Sequence, residues 1–197
     1  ASLETLFAVA PMVFMFLIPA VTMRTFAEEK QSGTIELLVT RPITDWQIVG
    51  GKFLACFVLV AFALLPTVLY YVSVYQLGAP VGNIDSGGTL GSYIGLLFLA
   101  GAFVAIGVFA SSLTNNQIVA FVLATFLCFF VYLAFGLLSR LPIFFGKTDD
   151  IVQSFGIEYH YNSISRGALD TRDVVYFISV IAFFLAATVL SLGRRRW

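Results

Sequence analysis

Residues able to take part in chemistry are few in this chain, and most of them fall in two places. The single histidine, His160, stands between Tyr159 and Tyr161, and Glu158 is the only acid close to it in sequence. General-base or metal chemistry needs partners at hydrogen-bond or ligand distance. One neighbouring carboxylate is a thin supply, so a structural, interfacial histidine is the expected reading. Cys56 and Cys128 both fall inside long apolar runs. A free thiol behaves there as a small hydrophobe, and no disulfide is expected. The second place is the stretch from Arg24 to Lys52, where Glu28, Glu29, Lys30, Glu36 and Arg41 put both signs of charge between two apolar runs. Its chemistry is non-covalent: mixed charge on a helix-capable segment suits docking to another protein. No Gly-x-x-x-x-Gly-Lys-Ser/Thr phosphate cradle occurs anywhere, so the chain is not expected to hydrolyse ATP itself. No catalytic residue, metal or cofactor is expected.

The elements that must position these residues are set by hydropathy. Hydrophobic residues make up 59% of the chain and charged residues only 11%, a balance that belongs to an integral membrane protein. Five runs carry no Asp, Glu, Lys or Arg: residues 6–23, 53–75, 94–113, 118–139 and 174–193. Each is close to the length an α-helix needs to cross the hydrocarbon core. They lack the strict alternation of barrel strands, and lipid forces the backbone to pair within the segment, so helices are expected. The expected fold is an all-α integral membrane protein, a polytopic helical bundle forming a single domain over residues 1–197.

Basic residues near the helix ends orient the bundle. Arg24, Lys30, Arg41, Lys52 and the closing Arg194, Arg195 and Arg196 outnumber Arg140, Lys147, Arg166 and Arg172. The first group, and with it the C-terminus, is therefore expected on the cytoplasmic side of a bacterial inner membrane. Five spans then place Ala1 outside, and an additional helix ahead of it, giving six in all, is the expected repair. The segment 24–52 reads as a cytoplasmic connection in two helical pieces. Thr25 with Glu28, and Thr44 with Gln47, match the capping-box pattern, and Pro42 disfavours helix at Arg41 and divides the two. Gly33 is a candidate interruption of the first piece, and Trp46 a candidate interface residue. Thr114 and Gln117 form a third capping-box match before the fourth run. The Gly-rich 76–93 segment and the longer 140–173 segment read as extracellular. In the latter, Ile157, Tyr161, Ile164 and Ala168 share one helical face, the pattern of an amphipathic helix packed on the bundle or lying in the interface.

Several features carry an ordinary reading beside a functional one. Pro11, Pro19 and Pro66 read as kinks accommodated by neighbouring helices, with hinges as the alternative. Gly91 and Gly95, with Gly101 and Gly107 further on, suit close helix packing within the subunit as well as a dimer seam. Tyr70, Tyr71, Tyr75 and Tyr132 suit interfacial belts as well as a substrate path. Ion-driven transporters generally place ionisable groups inside the bundle, and the five runs hold none. Coupling to an ion gradient is therefore disfavoured; an ATP-independent channel or secondary transporter is the rival reading, and an intramembrane enzyme a weaker third.

The string from Arg24 to Lys52 resembles the connection between the second and third helices of ABC-2 type transporter permeases. The shared pattern is Glu-x-x-x-Gly-Thr-x-Glu-x-Leu, then a Pro and a Gly-Lys. In this sequence those positions are Glu29, Gly33, Thr34, Glu36, Leu38, Pro42, Gly51 and Lys52. Within that family the likeness is greatest to the gliding-motility-associated ABC transporter permease of Bacteroidetes. The segment from Ser163 to Asp173 also looks like that subfamily. The resemblance implies an ABC-2, type V exporter-like permease fold with six helices per subunit, and pairing with a second copy or a sister permease. It also implies a separate cytoplasmic ABC ATPase bound through a coupling helix, in an exporter serving gliding motility or secretion. Arg24, Glu28, Glu29, Lys30, Gly33, Thr34, Glu36, Leu38, Arg41, Pro42 and Trp46 would form that ATPase-coupling element. Phe26, Ile35, Leu37 and Leu38 would anchor it on membrane helices or on the ATPase. Ile157, Tyr161, Ile164 and Ala168 would close the outer end. Membrane lipid is the remaining partner, and nucleic acid is not one.

Overall fold

The computed structural model describes residues 3–35, 43–78, 85–139, 152–167 and 170–193. Its elements are all helical. In chain order they are α1 (Glu4–Thr22), α2 (Arg24–Gln31), α3 (Asp45–Leu64), a 3₁₀ turn (Leu65–Thr67), α4 (Val68–Leu77), α5 (Ser86–Leu113), α6 (Gln117–Ser139), α7 (Ile157–Ser165) and α8 (Thr171–Gly193). Five helical stretches are long and apolar enough to cross a membrane: α1 with α2, α3 running through the turn into α4, α5, α6 and α8. The protein is a multi-pass, all-α membrane protein.

α5 is the axis of the bundle. In its most apolar stretch 78% of residues are buried, against 11% for α3–α4 and for α8, whose other faces are left for lipid. It touches α1, α2, α3, α6, α7 and α8. Composition explains how one helix can have so many neighbours, because small side chains let backbones approach closely in lipid. Gly91 lies under the Ile164 carbonyl, where an added Cβ would stand only 2.7 Å from that oxygen, and Gly107 lies directly against Thr22. Gly95 faces Ile164 and Tyr161, and Gly101 faces Ile181. The glycine row thus serves packing within the subunit, Gly91 and Gly95 against α7, Gly101 against α8 and Gly107 against α1.

Where prolines cost backbone hydrogen bonds, nearby groups supply replacements. Pro66 turns the second span through a 3₁₀ step, and Tyr93 on α5 donates its hydroxyl to the Thr67 carbonyl at 2.9 Å. Thr67 in turn donates to the Leu64 carbonyl at 2.6 Å. In α1, Pro11 and Pro19 are both buried, and the Phe7 carbonyl, which Pro11 leaves without its amide partner, accepts from the Tyr161 hydroxyl of α7 at 2.8 Å. Tyr132 is buried edge-on against Phe103, which removes it from the belt positions; Tyr70 and Tyr75 are exposed.

Two helix starts differ from the sequence expectation. α2 has no capping box at Thr25: Met23 is already in helical conformation, so the chain bends from α1 into α2 without the extended residue a cap requires. The Thr25 hydroxyl instead donates back to the Thr22 carbonyl at 2.8 Å. At the start of α6 the cap is Asn116, whose side-chain oxygen accepts from the Ile118 amide at 2.9 Å and the Val119 amide at 3.4 Å. Thr114 accepts from the Asn116 amide instead. The capping box of Thr44 and Gln47 at the start of α3 forms in both directions.

Candidate functional site

The charged connection is built against the end of α5 by one hydroxyl. Ser111, fully buried, accepts from the backbone amides of Phe26 and Ala27 at 3.0 Å each, and donates to the Met23 carbonyl at 2.9 Å. These amides lie in the first turn of α2, where no intrahelical acceptor is available. The capping role expected of Thr25 is therefore filled from a residue 85 positions away. Phe26 and Ala27 are buried by the same approach, which places the aromatic anchor on the membrane helices.

A second contact comes from α3. Lys52 donates to Glu29 Oε1 at 2.5 Å and to the Thr25 carbonyl at 2.5 Å, and its ammonium lies 4.8 Å from the centre of the Phe26 ring. Both members of the ion pair are largely withdrawn from solvent. Lys30, one residue on, hydrogen-bonds to the Ser112 carbonyl at the end of α5. Glu29 Oε2 is buried and has no partner among the described residues.

These contacts sort the residues of α2 by face. Phe26, Ala27, Glu29 and Lys30 turn toward the bundle. Arg24, Glu28 and Gln31, spaced four and three residues apart, are exposed along one side of the helix. The exposed stripe continues into Ser32, Gly33 and Thr34, which form the turn that ends α2. Gly33 adopts φ +73°, the left-handed conformation that closes a helix. The Ser32 hydroxyl donates to the Glu28 carbonyl at 2.9 Å and lies 2.9 Å from that of Thr34. Trp46, at the start of α3, is 56% exposed. Glu36, Leu38, Arg41 and Pro42 lie outside the described residues.

At the opposite end of the bundle α7 lies across α5. Ile157, Tyr161 and Ile164 are buried on its inner face, whereas Ala168 lies outside the described residues. The Tyr161 hydroxyl donates to the Phe7 carbonyl of α1 at 2.8 Å. Burial, with a smaller contribution from nearby Tyr132, pushes this phenol well above its ordinary range. Two cavities flank the helix. One of about 490 Å³ is lined in part by Glu4, Asp85, Ser92 and Tyr161, and one of about 470 Å³ by Gln153, Glu158 and Tyr159. Asn162 and Arg166 reach both. A third, apolar crevice of about 580 Å³ opens beside the Pro66 kink, between Leu64, Val68, Leu90 and Leu97.

Residues 3–195 match the family described as ABC-2 family transporter protein. The chain belongs to the ABC-2 transporter family. No match was found among curated proteins.

Its membership makes the protein a membrane permease of an ABC transporter, a component whose family works generally with a partner ATPase and without catalysis of its own. Among the described residues, no group of three or more His, Cys, Asp or Glu side chains stands close enough to hold a metal ion. His160 is buried, and its partner is Asp173 rather than the adjacent Glu158. In this ABC-2 permease the residues that hold α2, namely Ser111, Ser112 and Lys52, went unmarked as site residues in the sequence reading. Lys52 was visible as the end of the Gly-Lys pattern. Nothing local distinguishes the two serines, because their role exists only once α5 meets α2.

Proposed function

We propose that this chain is the membrane-spanning permease subunit of an ATP-driven exporter, and that α2 with the turn at Ser32 to Thr34 receives the push of a separate cytoplasmic ATPase. One observation carries the reading: α2 is tied to the bundle on one side by Ser111, Lys52 and Lys30, and presents Arg24, Glu28 and Gln31 on the other. A helix that transmits force needs a firm attachment behind it and a free, polar face ahead of it. The excess of Lys and Arg at this end, with Arg194, Arg195 and Arg196, supports its cytoplasmic placement in the bacterial inner membrane. Closure of two ATPases around ATP then rocks two bundles, this chain paired with a second copy or a sister permease. α7 closes the outer end of the path. Gliding motility or secretion is the context supported by the subfamily resemblance.

The geometry changes which residues meet the ATPase. Glu29 belongs to the inner attachment, so reversing its charge acts on the permease fold. Arg24 and Glu28 are the residues to reverse. Arg24→Glu with Glu28→Arg should leave the permease folded and lower both the ATPase recovered with it and transport-coupled ATP hydrolysis. Stable transport by the permease with no ATPase present would overturn the proposal. Unchanged association in the double reversal would remove α2 as the docking element.

A further inference from the structure

The histidine that the transport reading does not use is held in an arrangement that needs one extra proton. His160 Nδ1 lies 2.6 Å from Asp173 Oδ1, and Nε2 lies 2.8 Å from the Ser154 carbonyl oxygen. The two side chains are only 8% and 4% exposed. A carbonyl oxygen accepts only, and so does an ionised carboxylate. A neutral imidazole has one N–H, so it satisfies one of these contacts and turns a lone pair toward the other. Both contacts stand together only if the ring carries two protons, or if the carboxyl group carries one and donates it to Nδ1. In either form the pair binds one proton more than a neutral histidine beside an ionised aspartate.

What the pair joins is the start of α8 to α7. Asp173 is in the first turn of α8, His160 is on α7, and Ser154 is in the turn that leads into α7. Tyr176 on α8 adds to the same junction: its ring stacks on His160 at 3.9 Å, and its hydroxyl donates to the Phe155 carbonyl at 2.6 Å. Few charged groups lie on the described elements around the histidine. α7 itself carries Glu158, which faces Gly136 on α6, and Tyr159, edge-on to the imidazole at 5.4 Å. It also carries Tyr161, bonded to α1, and exposed Arg166 follows it. α5 brings Tyr93 and α6 brings Tyr132, with no charged residue on either helix. α8 brings Asp173, Tyr176 and exposed Arg172, with exposed Asp170 ahead of it. Among the described residues Asp173 is the acid in contact with the ring, and its Oδ2 is buried without a partner among them.

We propose that His160 and Asp173 form a proton-held latch that fastens α7 to α8 and releases as pH rises. The sign follows from linkage: the latched state binds the additional proton, so raising pH favours the state without it. Loss of the proton breaks one of two buried hydrogen bonds and loosens α7 locally. The latch concerns α7 alone and stands or falls independently of ATPase coupling.

Asp173→Asn is the discriminating variant. A carboxamide at this position donates to a neutral Nδ1 while Nε2–H donates to Ser154, so both contacts persist with no extra proton. Amide hydrogen exchange of residues 157–165, measured on the full-length permease in lipid nanodiscs and corrected for intrinsic rates with an unstructured peptide, reads the latch. In the unmodified protein, protection should fall about tenfold between about pH 5 and about pH 9, the scale of one buried hydrogen bond. In Asp173→Asn it should stay constant. His160→Gln, with no titratable ring, should show equally low protection at both pH values and serves if the first variant does not fold. Constant protection in the unmodified protein overturns the latch. So does a fall with pH in either variant that parallels the unmodified protein.

Discussion

Lys52 of α3 and Glu29 of α2 meet at 2.5 Å on the inner side of the charged connection, with the Phe26 ring beneath the ammonium. Two positions of the family pattern, 23 residues apart, thus hold each other. Lys52→Met leaves Glu29 withdrawn from water without its partner. The expected cost is about 1–3 kcal/mol, read as a lower thermal midpoint in detergent, with the double variant Glu29→Gln, Lys52→Met recovering much of it. Additive losses in the double-mutant cycle would show that the pair is not coupled.

Ser111→Ala removes an acceptor from two helix-start amides and a donor from the Met23 carbonyl. The loss should be about 1–2 kcal/mol, the range for a helix cap. It should appear as faster hydrogen exchange at Phe26 and Ala27, with α8 unaffected. Unchanged exchange at those two amides would assign their protection to another group.

Gly91→Val places side-chain atoms where the Ile164 carbonyl and the Gly167 backbone now stand. α7 must then lift away from α5, at a cost of about 1–3 kcal/mol typical of overpacking. A cysteine substituted at Ile164, buried in the present packing, should become reactive to a thiol reagent in this background and not in the parent.

Tyr161→Phe removes the hydrogen bond to Phe7 and should cost about 0.5–1.5 kcal/mol. Its contribution, like that of the latch, falls as pH rises, but in a higher window. Burial raises the phenol, so the bond is fully present below the unfolded value of about 10 and weakens only as pH climbs toward the higher folded value. Between neutral pH and about pH 9 the stability difference between Tyr161→Phe and the parent should therefore stay constant. A difference that shrinks over that range would mean the hydroxyl ionises in the fold.

The sequence was readable wherever a pattern is local or a length is imposed by lipid. Charge-free runs marked helices able to span, Thr44 with Gln47 marked a true helix start, and the order Glu29, Gly33, Thr34 pointed to the family. The face of Ile157, Tyr161 and Ile164 followed from helical period alone. What escaped are contacts whose partners are distant in the chain. Thr25 looked like a cap because its spacing to Glu28 is right, yet the preceding residue is helical and the acceptor comes from Ser111. Glu29 and Glu28 look equivalent in sequence. Only the position of Lys52 turns one inward and leaves the other exposed. Glu158 is the acid near His160 in sequence, but a helix places that carboxylate on another side and the partner is 13 residues on.

Because α5 touches α1, α2, α3, α6, α7 and α8, and its glycines bring α1, α7 and α8 close, α7 to backbone distance at Gly91, a neighbour that slides far opens a void or a clash along α5. A displacement imposed on α2 at one end therefore travels as whole-body tilt and is not absorbed as internal strain. Under the proposed ATPase coupling the subunit is a spoked wheel on a fixed hub, whose stroke is felt at the rim, where it borders lipid and any adjoining bundle.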